Sequence, residues 1–199
     1  MIKLYGGRRG TGFRNHWMLA EINVPYETVL IDMQAQEHKQ PAFLAINPNG
    51  QVPVLVDGDF VLTESVAIND YLAHKYAPHL LGATVESRAL VMQWSIWALV
   101  TINRYFGDIA ELKFKNMVDE KVTAQALEKL QRFMPVLDTY LKGKEFMVGG
   151  EFSVADINMI PALNYGHFVN YDFSPYAEVV RYMGLMAARP LFIKASQES

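Results

Sequence analysis

Cysteine is absent from this chain of 199 residues. Its absence excludes disulfides, thiolate metal sites and cysteine nucleophiles. The chain also has no excess of basic residues, because 18 Lys and Arg stand against 21 Asp and Glu and give a formal net charge of −3. A negative net charge gives no general attraction to polyanions, so we expect no nucleic-acid partner.

Long apolar runs are missing as well. The most apolar stretch, ALVMQWSIWALVTI (89–102), contains Gln93 and Ser95 and is shorter than the ~20 residues that a bilayer requires. We therefore expect no membrane partner. The N-terminus shows no basic, apolar and cleavage-site succession, which makes a cytoplasmic location the expectation.

Histidine pairs at metal-binding spacing are also lacking. No two of the histidines are four residues apart, and none belongs to a carboxylate pattern that would indicate a metal site. We predict no metal for this set: His16, His38, His74, His79 and His167.

Glycine is concentrated near the N-terminus, in LYGGRRGTGFRNHW (4–17). Neither a GxGxxG spacing nor a Gly-Lys-Ser/Thr ending can be found there, so the known nucleotide loops do not explain it. Two interpretations stay open: a flexible turn between a strand and a helix, or a small-ligand loop at a helix N-terminus. The crowded residues are Gly6, Gly7, Gly10 and Gly12 around Arg8 and Arg9.

The first third of the chain alternates strand and helix signals. MIKLYG, FRNHWMLAEI and YETVLID predict a strand, a helix and a strand, which makes a βαβ unit with parallel strands. PAFLAIN predicts a short helix, VPVLVDGDFVLT a hairpin that turns at Asp57, Gly58 and Asp59, and ESVAINDYLAHKYA a further helix. The fold class is therefore α/β in this part.

The remainder of the chain carries helical patterns. We predict a first domain at 1–77, a linker at 78–84 and an all-helical C-terminal domain at 85–199. In FSVADINMIPALNYGHF, Ser153 and Asp156 have capping-box spacing, so we interpret Asp156 as a helix cap rather than a catalytic acid. Aromatic residues on the long helix at 85–114 are typical of a core at this spacing, although some can wall an apolar pocket.

The segment NPNGQVPVLVDGDFVLTESVAI (47–68) resembles the glutathione-binding half of the cytosolic glutathione transferase superfamily, of the bacterial type. The resemblance extends through WMLAEINVPYETV upstream and FSVAD downstream, and therefore covers both domains. It implies a thioredoxin-like N-terminal domain (βαβ-α-ββ-α), an all-α C-terminal helical bundle, a homodimer, and glutathione as co-substrate.

The resemblance also implies site residues. Pro53 would be cis and would expose the backbone of Val52, where a bound peptide can pair like an added strand. Glu64 and Ser65 match the γ-glutamyl site at a helix start. The groups that meet the glycine carboxylate are matched by His38, Lys39 and Gln51.

The residue that activates the glutathione thiol departs from the family pattern. In many bacterial members a Ser stands four residues before the Arg of the first helix, and here that position is Gly10. The neighbouring hydroxyl is on Thr11, and Tyr5 matches the strand-end Tyr that donates to the thiol in other classes. Tyr5, Thr11 and the backbone N–H groups around Gly10 remain open as donors.

These observations predict a transferase in which the glutathione thiolate attacks an apolar electrophile. For the second-substrate pocket we name Trp97, Tyr105 and Phe106. Two alternatives remain: a non-catalytic interaction or regulatory protein that has kept the fold, and a glutathione-dependent peroxidase or isomerase.

Overall fold

A computed structural model describes residues 1–8 and 10–197, and only the backbone of Thr11. The chain divides into two compact units. The first comprises Met1–Pro78 together with the last helix, and the second is His79–Arg189.

The first unit is built on a four-stranded sheet with the order β2-β1-β3-β4. The strands β1 and β2 are parallel, whereas β3 is antiparallel to both of its neighbours. Both the βαβ unit and the Asp57–Phe60 hairpin that the sequence predicted are therefore confirmed. The strand bounds are Ile2–Tyr5 (β1), Tyr26–Val29 (β2), Val54–Asp57 (β3) and Phe60–Thr63 (β4).

Helices cover this sheet because their apolar faces need burial. Trp17, Met18 and Leu19 of the first helix are 1% exposed or less, and they form the core with strand residues such as Leu4 and Leu55. The helices of this unit are Phe13–Ile22 (α1), Pro41–Leu44 (α2), Ser65–Tyr76 (α3) and Pro190–Gln197 (α9).

The last helix packs on the first. The ring of Phe192 lies edge-on to Trp17 and Phe13, at centroid distances of 4.9 Å and 5.3 Å. Helix α9 therefore belongs to the sheet-containing unit, whereas the sequence placed residues 85–199 in one helical domain. Local periodicity identifies a helix but not the helix against which it packs.

The second unit is helical. Its helices are Val85–Trp97 (α4), Arg104–Phe114 (α5), Glu120–Leu141 (α6), Val154–Phe168 (α7) and Ala177–Ala187 (α8). A π-helical turn over Ala98–Asn103 joins α4 to α5, so the long helix predicted from the sequence is continuous but changes its winding in the middle. Together the two units confirm the predicted fold class.

The segment 78–84, which the sequence predicted to be a linker, is folded rather than extended. Pro78–Leu81 forms a 3-10 turn, and Leu80 and Leu81 are both 5% exposed. The boundary between the units lies at its first residue.

The capping box of α7 is present. The backbone N–H of Ser153 donates to Asp156 at 2.9 Å, and the same carboxylate accepts from the Met147 N–H and the Tyr182 hydroxyl. Burial raises the pKa of Asp156 above its ordinary value, although these hydrogen bonds favour the charged form. Asp156 is thus a structural cap, as interpreted from the sequence.

Among the described residues, no helix is both long and apolar enough to cross a membrane.

Candidate functional site

Three loops leave the sheet at the same edge. In the sheet register Tyr5 lies opposite Val54, and Val54 lies opposite Thr63. The loop after β1, the turn before β3 and the turn after β4 therefore start side by side. These segments contain the glycine loop, Pro53 and Glu64, so the topology brings the motifs of the sequence together.

The glycine loop lies against the proline turn. Gly6 has φ +114°, and a Cβ added there would lie 3.0 Å from the Cβ of Val52. Only a glycine combines this backbone angle with so close an approach. The Val52–Pro53 peptide bond is cis, as the family pattern implies.

The end of the loop leads directly into helix α1. Gly10–Gly12 forms a 3-10 turn, and none of the described side chains caps the helix that follows Gly12. Gly10 has φ +66°, in the left-handed region that favours glycine. Arg9 and the side chain of Thr11 lie outside the described part of the chain. What the structure provides here is backbone N–H groups at a helix N-terminus, where negative charge is stabilised.

The turn after β4 presents a second helix N-terminus. Glu64 is exposed and has φ +68°, a sparsely populated backbone conformation for a non-glycine residue that is often found at functional sites. No side chain caps helix α3, and the Ser65 hydroxyl makes no hydrogen bond to any described residue. A hydroxyl and unsatisfied N–H groups are thus available together for an anionic ligand group.

A basic segment lies beside the proline turn. Lys39 is exposed and donates from Nζ to the Gly50 carbonyl at 3.1 Å, one residue before Gln51, which is also exposed. His38 is half-buried, and its Nδ1 has no hydrogen-bond partner among the described residues. These three predicted residues are therefore neighbours, with polar groups that remain available.

Asn47 stabilises this turn and was not predicted from the sequence as a site residue. It is 2% exposed, donates from Nδ2 to the Gln51 carbonyl at 2.7 Å, and accepts from the Asn49 N–H. The signal for it was the Asn-Pro-Asn-Gly turn itself, because Asn side chains bond to the backbone two residues on.

Tyr5 ends β1 on the face opposite to the buried Ile2 and Leu4. Its ring packs edge-on against Phe43 of α2 at a centroid distance of 6.2 Å. Its hydroxyl makes no hydrogen bond to any described residue. The phenol therefore remains available as a donor.

Buried polar contacts behind the loop were also missed. His16 is fully buried and lies between the Gly6 carbonyl, 3.3 Å from Nε2, and the Tyr26 hydroxyl, 3.1 Å from Nδ1. Arg8 donates to the same hydroxyl and to the Ala195 carbonyl of α9, at 3.2 Å each. This series of contacts connects the glycine loop to the last helix. No local sequence motif predicts it.

In the helical unit, the three predicted pocket residues do not form one wall. Phe106 is wholly buried and packs against Tyr171 and Phe173, so it is a core residue and its assignment to a pocket was wrong. Trp97 and Tyr105 are half-buried, and both rings contact Phe133 of α6. Tyr105 and Phe106 point in different directions from the helix axis. This difference decides which of the two faces the pocket and which faces the core.

A cavity of about 620 Å³ lies between α5 and α6. Its walls combine aromatic, aliphatic and charged side chains and are therefore more polar than the predicted apolar pocket. They include Arg104, Tyr105, Asp108, Leu112, Val122 and Lys129. Among the described residues, no group of three His, Asp or Glu side chains is placed to hold a metal.

Comparison with known families finds two matches. Residues 1–74 match "Glutathione S-transferase, N-terminal domain", and residues 91–190 match "Glutathione S-transferase, C-terminal domain". Glutathione S-transferase F9 of Arabidopsis thaliana is 35% identical over 173 residues, which cover 83% of this chain and 80% of that protein. Glutathione S-transferase F10 of the same plant is 38% identical over 160 residues, 74% of this chain and 72% of that protein.

Solved structures agree. A glutathione S-transferase-I bound with lactoylglutathione has a TM-score of 0.86 and 30% identity, with 98% of both chains covered. A glutathione transferase from Pseudomonas putida, with glutathione disulfide bound, has a TM-score of 0.91 and 27% identity over 98% of this chain and 90% of that one. Because both plant and bacterial proteins match, the bacterial type stays a prediction.

Proposed function

We propose that this chain, which belongs to the glutathione S-transferase family, binds glutathione at the sheet edge where Tyr5, Val54 and Thr63 lie side by side. The chain is an enzyme, a glutathione S-transferase, and glutathione is its co-substrate. The observation that carries the proposed site is this register, because it puts the glycine loop, the proline turn and the start of α3 at one edge.

The γ-glutamyl group would bind at the start of α3. Its α-carboxylate would accept from the Ser65 hydroxyl and from the first N–H groups of the helix, which no described side chain caps. The exposed Glu64 carboxylate would meet the α-amino group. The pairing is favourable because each charged ligand group finds a group of opposite polarity.

The rest of the peptide would follow the proline turn. The backbone of Val52 can pair with the cysteinyl residue as with an added strand. The glycine carboxylate would then reach the segment that holds His38, Lys39 and Gln51, where the Lys39 ammonium supplies the opposite charge.

Thiol activation would occur at the start of α1. A donor there stabilises the thiolate, and the helix N-terminus favours the same negative charge. The thiolate sulfur then forms a bond to the electrophilic carbon, and the leaving group departs with the electron pair. Tyr5 and Thr11 are the proposed donors, with the N–H groups around Gly10 assisting.

The second substrate would be an electrophile. Tyr105, which was predicted for its pocket, lines the cavity of the helical unit, whose walls are charged as well as apolar. We also propose a cytoplasmic location, because attack by the thiolate requires reduced glutathione, and glutathione keeps cytosolic thiols reduced.

The assembly that we propose is a homodimer. Helix α4 and the π turn carry exposed apolar side chains at four-residue spacing: Met92 at 38%, Ile96 at 48% and Val100 at 54%. A stripe of this kind fits a second copy of the chain better than water, because its burial removes apolar surface from solvent.

Calorimetry with glutathione tests the proposed site. The Ser65→Ala variant should bind with a free energy weaker by ~1–3 kcal/mol, because the hydrogen bond to the carboxylate is lost. Ser87→Ala, which removes the hydroxyl that accepts from the Thr84 N–H at the start of α4, is the control and should bind like the unchanged protein. Absence of glutathione binding to the unchanged protein would disprove the proposal. Turnover of a panel of electrophiles and peroxides then identifies the reaction class.

A further inference from the structure

We propose that Asn15 is a positioning residue for the γ-glutamyl end of the site, and this inference rests on the proposed function. Asn15 lies in the first turns of α1 and is fully buried. Its Nδ2 donates to the Ser65 carbonyl at 2.8 Å and to Asn69 Oδ1 at 2.7 Å. One side chain of α1 thereby holds the residue of α3 that faces the α-carboxylate.

The contact runs in both directions. Asn69 of α3 is also fully buried, and its Nδ2 donates back to the Arg14 carbonyl of α1 at 3.3 Å. Two amides therefore join the first turns of the two helices. One of these helices carries the thiol-facing loop at its start, and the other carries Glu64 and Ser65.

The bond to Ser65 is not needed to satisfy its backbone. In a regular α-helix the carbonyl of residue 65 already accepts from the N–H of residue 69. The additional donor therefore fixes the direction of the first helical residue. An apolar side chain would be the ordinary choice at a position as deeply buried as its neighbour Trp17.

The burial of Asn15 has a cost that packing alone does not explain. Its Oδ1 is buried and has no hydrogen-bond partner among the described residues. A buried acceptor without a partner is unfavourable, so the amide is retained for its two donor contacts. Those contacts hold the start of α3 in register with α1. A bound tripeptide must span both helix starts, which makes this register part of ligand recognition.

Loss of the Asn15 amide should reduce the discrimination between peptides with and without the α-carboxylate, an effect that differs from a loss of stability. We compare glutathione with 4-aminobutyryl-Cys-Gly, which lacks only the α-carboxylate, by calorimetry. The unchanged protein should prefer glutathione by about tenfold or more. Asn15→Leu, which keeps the branching at Cγ but removes both polar groups, should reduce this preference to below about threefold and bind the analogue as the unchanged protein does.

Controls separate this effect from general damage. Asn158→Leu removes a buried amide of the helical unit, whose Nδ2 donates to Ser95 Oγ at 3.0 Å, and should keep the full preference. Ser65→Ala should lose the preference as Asn15→Leu does. If Asn15→Leu does not fold, Asn15→Ser, whose side chain is too short to reach Ser65, takes its place.

The outcomes are distinct. An unchanged preference in a folded Asn15 variant, or an equal loss of affinity for both peptides, would overturn the positioning role and leave the proposed function intact. A lack of preference in the unchanged protein would overturn it too. If the unchanged protein binds neither peptide, the proposed function fails and the inference fails with it.

Discussion

Gly10 has a left-handed backbone conformation, with φ +66°. Any residue with a Cβ is disfavoured there by roughly 1–2 kcal/mol. The conformation gives a physical reason for the glycine at the place where many bacterial relatives have a serine. The loop has a shape that a serine would strain, so the thiol donor must come from a neighbouring residue or from the backbone.

Substitution of the two donors identifies which one activates the thiol. Ultraviolet absorbance of the thiolate measures the titration of bound glutathione, whose free thiol has a pKa of about 8.5. We expect the pKa of the bound thiol to rise in either Tyr5→Phe or Thr11→Ala, because the variant without the donor no longer stabilises the anion.

The control for this titration is Tyr71→Phe, which removes a hydroxyl of the same unit that donates to Asp57, at the end of β3 opposite to the proline turn. A thiol pKa that stays constant in both donor variants would refute both assignments. The N–H groups of Gly10–Gly12 would then be the remaining donors.

At the residue scale, the sequence predicts the parts of the site that depend on local motifs. Pro53 and the Glu64–Ser65 pair belong to one continuous segment, and the structure puts them at one sheet edge. Asn15 was not predicted, because its partner Asn69 lies on another helix and the pairing follows from packing. The assignment of Phe106 to a pocket was wrong, because the aromatic pattern of a helix does not distinguish its core face from a pocket face.

Between elements, helices α6 and α8 cap each other. Asp138 of α6 accepts from the N–H groups of Glu178 and Val179 at the start of α8, at 2.8 Å and 3.1 Å. Arg181 of α8 donates in return to the Leu141 carbonyl at the end of α6, at 3.0 Å. Each helix thus satisfies backbone groups that the other leaves without an internal partner.

Loss of the acidic cap should destabilise the helical unit. We expect Asp138→Ala to lower the free energy of unfolding by ~1–2 kcal/mol, because the first N–H groups of α8 lose their acceptor. Urea titration followed by circular dichroism measures the change. Thr139→Ala, an exposed neighbour on the same helix, should change the stability little. Equal losses in the two variants would contradict the capping role.

The elements themselves were largely readable from the sequence. Helix α1 spans the predicted FRNHWMLAEI, and the capping box at Ser153 begins α7 as predicted. The π turn over Ala98–Asn103 was not predicted, because its side chains keep a helical apolar pattern. The packing partner of α9 was not predicted either, since residues far apart in sequence determine it.

At the scale of the whole molecule, the proposed dimer gives a direct test. Light scattering after gel filtration should show twice the chain mass for the unchanged protein and a single chain mass for Ile96→Lys. In the dimer the second chain would bury the stripe, so a lysine charge there would be buried without an opposite charge and would oppose association. Val136→Lys, at a site 52% exposed on α6, is the matched control and should stay dimeric. A monomeric unchanged protein would refute the proposed assembly.

The packing of α9 on α1 sets an order of events during synthesis. Trp17 leaves the ribosome with α1, but Phe192, which covers it, is translated roughly 10 to 30 s later. The helical unit is one continuous segment, but its last residue, Arg189, is translated just before Phe192, so this unit is also incomplete for most of that interval. The sheet-containing unit waits with an uncovered aromatic surface, and Arg8 gains its contact with Ala195 only when the last helix arrives. The nascent chain therefore completes its first unit last.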